Sequence, residues 1–128
     1  LVTIAAAPDF TEDGYWAGFS DAQKAALDSV GHVKLPSDYM EPYIITKRMI
    51  EDGRDQLVLR APLALPFPVR FMQGTQDTAV STQTALHLLD HATGPDMRLT
   101  LVKDADHRFS DDRCLDLIVA AVNEVLAD

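Results

Sequence analysis

The sequence predicts an α/β fold of about three parallel strands with flanking helices, joined to a helical, lid-like segment. Three observations carry that reading. From Val69 onward the chain alternates strand, helix, strand, helix, which argues helical crossovers between parallel strands. The opening run, residues 2–7, is apolar almost throughout, as in a strand covered on both faces. Two polar clusters each follow directly on a strand, the position at which such sheets carry ligand chemistry.

The elements follow in order. Residues 2–7 form the first strand and end at Pro8. Thr11-Glu12-Asp13 opens a short helix through Trp16 and Phe19, with Thr11 as the expected N-cap. Ser20-Asp21 and residues 22–30 predict a second helix, stopped by Gly31. A stretch with Pro36, Tyr39, Pro42 and Tyr43 is aromatic, proline-bearing and weakly periodic, which suits a lid or insertion of about residues 9–60. His32 reads as a loop residue. Residues 44–54, with Ile44, Ile45, Met49 and Ile50, predict a helix ending near Gly53. Pro62, Pro66 and Pro68 mark a loop. Residues 68–127 then form the β-α-β-α end: a strand at 69–74, a helix at 81–91, a strand at 97–102 and a helix at 111–126. In that last helix Cys114, Leu115, Ile118, Val119, Val122, Val125 and Leu126 recur at helical spacing.

A length of 128 residues suits one domain with a sizeable core. The net charge of −9 and the scattered placing of 11 basic residues argue against nucleic acid, whose phosphates need clustered Lys and Arg. No apolar run approaches the roughly 20 residues of a membrane-spanning helix, so no membrane partner is expected. A single cysteine, Cys114, excludes an intramolecular disulfide and fits a reducing compartment. With no basic leader segment, a cytoplasmic, bacterial setting is the expectation. The chain opens without methionine inside an apolar run, and a piece of a longer protein is expected. If the strand at 2–7 lacks its neighbour, its unpaired edge is a template for self-association.

The first polar cluster is Gln73-Gly74-Thr75-Gln76-Asp77, where Gly74 permits a sharp exit from the strand. The second is Asp104-Ala105-Asp106-His107-Arg108-Phe109. If the two strands are neighbours, Asp77 and His107 meet. A carboxylate on one imidazole nitrogen fixes the tautomer and leaves the other nitrogen free as a general base. Plainer readings stand beside this: Asp77 as a helix N-cap, His107 as a surface residue, and Asp104 or Asp106 as the acid instead.

Strand–(Gln-Gly-x-x-Asp)–helix–strand–(Asp-x-Asp-His-x-Phe)–helix resembles the C-terminal half of the α/β-hydrolase fold, whose triad runs Ser, then Asp or Glu, then His. Within that superfamily the chain is similar to the small serine hydrolases of the mitochondrial acyl-protein and acyl-glucuronide thioesterase type. The matching segments are Ile4-Ala5-Ala6-Ala7-Pro8-Asp9-Phe10, Leu35-Pro36-Ser37-Asp38-Tyr39, Pro68-Val69-Arg70, Gly74 with Asp77, and Ala105-Asp106-His107-Arg108. The resemblance implies that Asp77 and His107 are a triad's acid and base, acting on a small-molecule carboxylic ester or thioester without a cofactor.

The sequence departs from that family in one decisive respect. It holds no Gly-x-Ser-x-Gly: its serines are Ser20, Ser29, Ser37, Ser81 and Ser110, and Gly18-Phe19-Ser20-Asp21-Ala22 lacks the second glycine. By the resemblance, the nucleophile and the oxyanion-hole amides lie outside these residues, and the chain alone is expected to be inactive. The alternative is a non-catalytic, degenerate hydrolase module used for binding or assembly. Trp16, Phe19, Tyr39, Met40 and Tyr43 are candidates for an acyl or aryl pocket, or for the lid's own small core. No metal site is expected. His87 and His91 are spaced i, i+4 without a further ligand set, and the acidic pairs Asp104-x-Asp106 and Asp111-Asp112 lack an EF-hand loop. Cys114, at an apolar helical position, reads as a buried core thiol.

Overall fold

A computed structural model describes residues 1–127. The chain divides into two compact units: Leu1–Pro8 together with the chain from Leu59 onward, and Asp9–Val58.

The first unit is built on a three-stranded sheet in the order β1 (Val2–Ile4), β5 (Val69–Gly74), β7 (Met97–Val102), parallel throughout. Helix α3 (Thr82–His91) connects β5 to β7, and α4 (Asp112–Leu126) follows β7. A second, two-residue parallel pairing joins β4 (Leu63–Ala64) to β6 (Ala92–Thr93). Every residue of the central strand β5 is buried. Alternate side chains of β5 point to opposite faces. Val69 and Phe71 pack with Leu88 of α3, while Met72 packs with Val102, Phe109, Cys114 and Ala121 on the α4 side. The sheet therefore has an apolar layer on each face, which is why β5 shows no polar stripe. The first strand is shorter than the sequence suggests. Ala5 turns into the left-handed region (φ 49°), ending β1 at Ile4 although Ala5 still donates to the Met72 carbonyl at 2.9 Å.

The alternation on β5 also buries Arg70, whose guanidinium is held by three carbonyl or carboxylate partners. It donates to Glu124 (Nη2–Oε1, 2.8 Å; Nε–Oε2, 3.1 Å), to Asp96 Oδ2 (2.7 Å) and to the Val69 carbonyl (2.8 Å). Hydrogen bonds to Glu124 and then to Asp96 hold Arg70 firmly protonated. Arg70 in turn keeps both carboxyls below their ordinary range.

The second unit begins with a seven-residue π-helical stretch, Phe10–Trp16. Thr11 does not cap it. Asp9 stands at that position in a left-handed conformation, and Thr11 is buried one residue inside the helix. Asp9 Oδ1 accepts from the Val58 amide at 2.7 Å, drawing together the two ends of this unit. Helix α1 (Asp21–Ser29) opens with a complete capping box, Ser20 with Gln23, and Gly31 (φ 85°) takes the chain out of it. His32 is not in a loop: it starts β2 (His32–Leu35), which pairs antiparallel with β3 (Tyr43–Thr46). The expected helix at 44–54 starts three residues later, because Ile44 and Ile45 extend into this hairpin and the Thr46 side chain caps α2 (Lys47–Arg54). β-branched residues favour the strand, so the apolar spacing that suggested a helix there belongs to two elements. Phe19, Leu27, Val33, Ile45 and Ile50 form this unit's core. Among the described residues, no helix is long and apolar enough to cross a membrane.

Candidate active site

The site lies where β5 and β7 end side by side. Gly74 is the last residue of β5 and pairs with Val102, the last of β7. Beyond that pair the two chains stay laced together. Thr75 N–H donates to the Val102 carbonyl and Gln76 N–H to the Ala105 carbonyl, both at 3.0 Å. The Asp104 amide donates to Thr75 Oγ1 at 2.9 Å, and Gln76 Nε2 to Asp104 Oδ1 at 3.2 Å. Gly74 is required for closeness rather than for a turn. A Cβ there would stand 2.2 Å from the Ala105 carbonyl oxygen and 2.8 Å from that of Asp106.

Asp77 sits at the start of the connection to α3, its side chain fully buried. Four donors meet its carboxylate: Ala79 N–H and Val80 N–H on Oδ1, both at 2.8 Å, and Gln73 Nε2 (3.0 Å) and His107 Nδ1 (2.9 Å) on Oδ2. Burial alone would raise its pKa. The bonds from Val80, His107, Ala79 and Gln73 outweigh it and hold the carboxyl below the ordinary range. Asp77 is not the cap of α3; the Ser81 side chain accepts from Thr84 N–H and fills that role.

His107 is 46% exposed at its side chain while its Nδ1 faces Asp77. An ionised carboxylate only accepts, so the neutral imidazole must carry its proton on Nδ1, leaving Nε2 as an acceptor. The loop is held on both sides of His107. Asp104 (φ 64°) and Phe109 (φ 52°) are left-handed, Phe109 is buried at 1% exposure, and Asp106 Oδ1 accepts from Phe109 N–H at 3.1 Å. Of the alternative acids, Asp104 is thus engaged by Gln76, and Asp106 by the backbone of its own loop.

The five apolar pocket candidates all lie in the second unit. Phe19 is in its core, and Trp16 packs against that core with the Lys24 ammonium and Arg54 guanidinium 4.9 and 4.7 Å from its ring centre. Trp16 also borders a small cleft of about 130 Å³ with Leu27 and Ile50. Tyr39, Met40 and Tyr43 are exposed, Met40 completely. Cys114 is buried with its thiol pKa pushed up by that burial. His87 and His91 lie with ring centres 6.0 Å apart, His91 bonding the Ala61 carbonyl, and no group of three metal-ligating side chains occurs among the described residues. In the sequence Gln73 stands only as the first residue of the Gln-Gly-x-x-Asp cluster, with no role of its own; the signal that sets it apart is a lone amide in an otherwise apolar strand end, one residue before a glycine.

A parallel sheet with helices on both faces, presenting an Asp–His pair at adjacent strand ends, is an α/β-hydrolase arrangement. No protein-family model matches the chain. Palmitoyl-protein thioesterase ABHD10, mitochondrial, from Mus musculus is 29% identical over 128 residues, covering 98% of this chain and 43% of that protein. Its Homo sapiens counterpart is 24% identical over 105 residues, 80% of this chain and 34% of that one. Among solved structures, a protein from Agrobacterium vitis S4 designated a hydrolase superposes with a TM-score of 0.93 at 37% identity, covering 97% of this chain and 48% of that one. Mouse alpha/beta hydrolase domain-containing protein 10 superposes with a TM-score of 0.86 at 23% identity, covering 99% and 51%. The chain thus spans about half the length of the relatives it matches. It has the C-terminal half of an α/β-hydrolase fold and is similar, within that superfamily, to the mitochondrial palmitoyl-protein thioesterase type.

Proposed function

We propose that Asp77 and His107 are the acid and base of a serine hydrolase triad acting on carboxylic esters or thioesters, with the serine supplied from outside these 128 residues. The observation that carries this is the 2.9 Å Asp77 Oδ2–His107 Nδ1 bond at the ends of two neighbouring parallel strands. In that arrangement His107 Nε2 takes the proton of the attacking hydroxyl and then returns it to the leaving group. Asp77, ionised across the neutral range, fixes the tautomer and stabilises the imidazolium. The thioesterase names of the relatives support the substrate class. No Gly-x-Ser-x-Gly stands in this sequence, so the chain by itself is inactive.

The test is turnover of p-nitrophenyl acetate and of an acyl thioester, by this chain and by a longer protein carrying it. The chain alone should show no saturable turnover. The longer protein should lose about 10³-fold or more in kcat on His107→Ala. Saturable turnover by the chain alone, abolished by His107→Ala, overturns the external nucleophile. Undiminished turnover by the His107→Ala longer protein overturns the base.

We also propose self-association through β1, an outer strand of its sheet whose Ile4, and Leu1 just before it, are exposed at 39% and 48%. Light scattering should show mass rising with concentration. A constant monomer with the Val2–Ile4 amides slow to exchange would exclude it.

A further inference from the structure

Gln73 is 1% exposed, in a strand where every neighbour but Arg70 and Gly74 is apolar. Its Nε2 donates to Val80 O (2.9 Å), Asp77 Oδ2 (3.0 Å) and Gly74 O (3.2 Å). Its Oε1 is buried without a hydrogen-bond partner among the described residues. The three acceptors around one end of the amide settle which end is nitrogen, since the reverse orientation sets oxygen against three oxygens. As a core filler this amide is a poor choice. Met or Leu would occupy similar volume without leaving an acceptor desolvated. What the amide supplies, and no apolar side chain can, is a donor.

That donor goes to a particular oxygen. Backbone amides hold Oδ1 of Asp77, and Oδ2, the oxygen that meets His107 Nδ1, is the one Gln73 holds. The torsion that turns a carboxylate is broad, and backbone contacts to one oxygen leave the swing of the other loosely set. A second donor, from the strand side, removes that freedom.

We propose that Gln73 is a positioning residue: its carboxamide fixes the rotation of the Asp77 carboxylate, and through Asp77 the tautomer of His107. The assignment deepens the acid–base reading of that pair and rests on it, but its test needs no substrate and no nucleophile. A role for Gln73 in packing alone, or in tying down the Val80 carbonyl, would alter stability and leave the imidazole untouched.

The experiment is nuclear magnetic resonance on the 128-residue chain, following the His107 ring nitrogens and the Asp77 carboxyl carbon through a pH titration. The neutral wild-type ring should be protonated on Nδ1. Gln73→Met should shift it toward the Nε2-protonated form that prevails in free imidazole side chains. The same variant should raise the Asp77 titration by roughly one to two pH units, the worth of a hydrogen bond to a charged group. Gln73→Leu, a second apolar replacement of similar size, should produce the same two changes. If Gln73→Met does not fold, the Gln73→Leu arm decides alone. Unchanged ring protonation and an unchanged Asp77 titration in a folded variant overturn the proposal. Undiminished hydrolysis by a longer protein carrying Gln73→Met, with the spectra changed as expected, would leave Gln73 in place and refute instead the catalytic reading of the pair.

Discussion

Gly74→Ala should disarm the site through the backbone, because the atoms nearest the added methyl belong to Ala105 and Asp106. Its Cβ would stand 2.2 Å from the Ala105 carbonyl oxygen, 2.7 Å from the Ala105 carbonyl carbon and 2.8 Å from the Asp106 carbonyl oxygen. These are backbone atoms, so no rotamer change relieves them. Reaching even the 3.0 Å limit that real contacts respect requires a retreat of 0.8 Å (3.0 − 2.2). The segment that must retreat carries His107 two residues later and is pinned behind by the Gln76–Ala105 and Thr75–Asp104 bonds. Overpacking of this kind costs about 1–3 kcal/mol, and a displacement near 1 Å at a reacting group costs about 10²-fold in rate. Urea denaturation of the 128-residue chain should therefore show a loss of about 2 kcal/mol, and the His107 Nδ1–H resonance should broaden or shift. In a longer, active protein kcat should fall while folding is retained. A Gly74→Ala chain of wild-type stability with an unmoved His107 resonance would refute the reasoning, since it would mean the two loops are free to part.

Three further outcomes are expected. Asp77→Asn should cost about 1–3 kcal/mol at neutral pH, because an amide offers one acceptor where four donors converge. The folded carboxyl titrates below its unfolded value near pH 3.9, so its contribution is present above about pH 4 and lost as pH falls through the folded value; the gap between wild type and Asp77→Asn in denaturation midpoint should narrow in acid. Arg70→Met should lower the melting temperature in low and high salt alike, since that guanidinium is only 5% exposed; Lys47→Met, whose partner Asp28 is 71% exposed, should leave it unchanged. Ser20→Ala should cost about 1 kcal/mol by removing the capping box of α1, read from the same denaturation curves; an unchanged midpoint would show that Gln23 and solvent satisfy the helix start without it.

The parts of this molecule legible in the sequence are those with one dominant period or one chemical signature. The run 69–74 reads as a buried strand, and α4 reads as a helix from Cys114, Ile118 and Val125 recurring on one side. The Asp77 and His107 pairing was legible because each follows directly on a strand, and parallel neighbours bring such positions together. The hairpin at 32–46 was not. Ile44, Ile45, Met49 and Ile50 fit a helical face, and only the pairing with Lys34 and Val33, ten or more residues away, makes a strand of the first two. Nor could spacing reveal that Ala5 and Asp9 adopt left-handed backbone, since neither is a glycine. The exit from the strand at Gly74 is legible, but its close approach to Ala105 and Asp106 is not, because nearness is a property of the folded pair rather than of either segment.

The donors to Asp77 named above, and His107 itself, come from a stretch of the chain between Gln73 and His107, wholly inside one of the two compact units. The other unit begins and ends at Asp9 and Val58, two residues joined by a 2.7 Å bond from the Val58 amide to the Asp9 carboxylate. An insertion whose ends meet is exchangeable: it can lengthen, shorten or be replaced with its termini still spaced to rejoin the sheet. The Asp77–His107 pair thus travels as a cassette. Grafting a different 50-residue segment between Pro8 and Leu59 would leave the 2.9 Å bond between them, and its donors, inside the unit that keeps them.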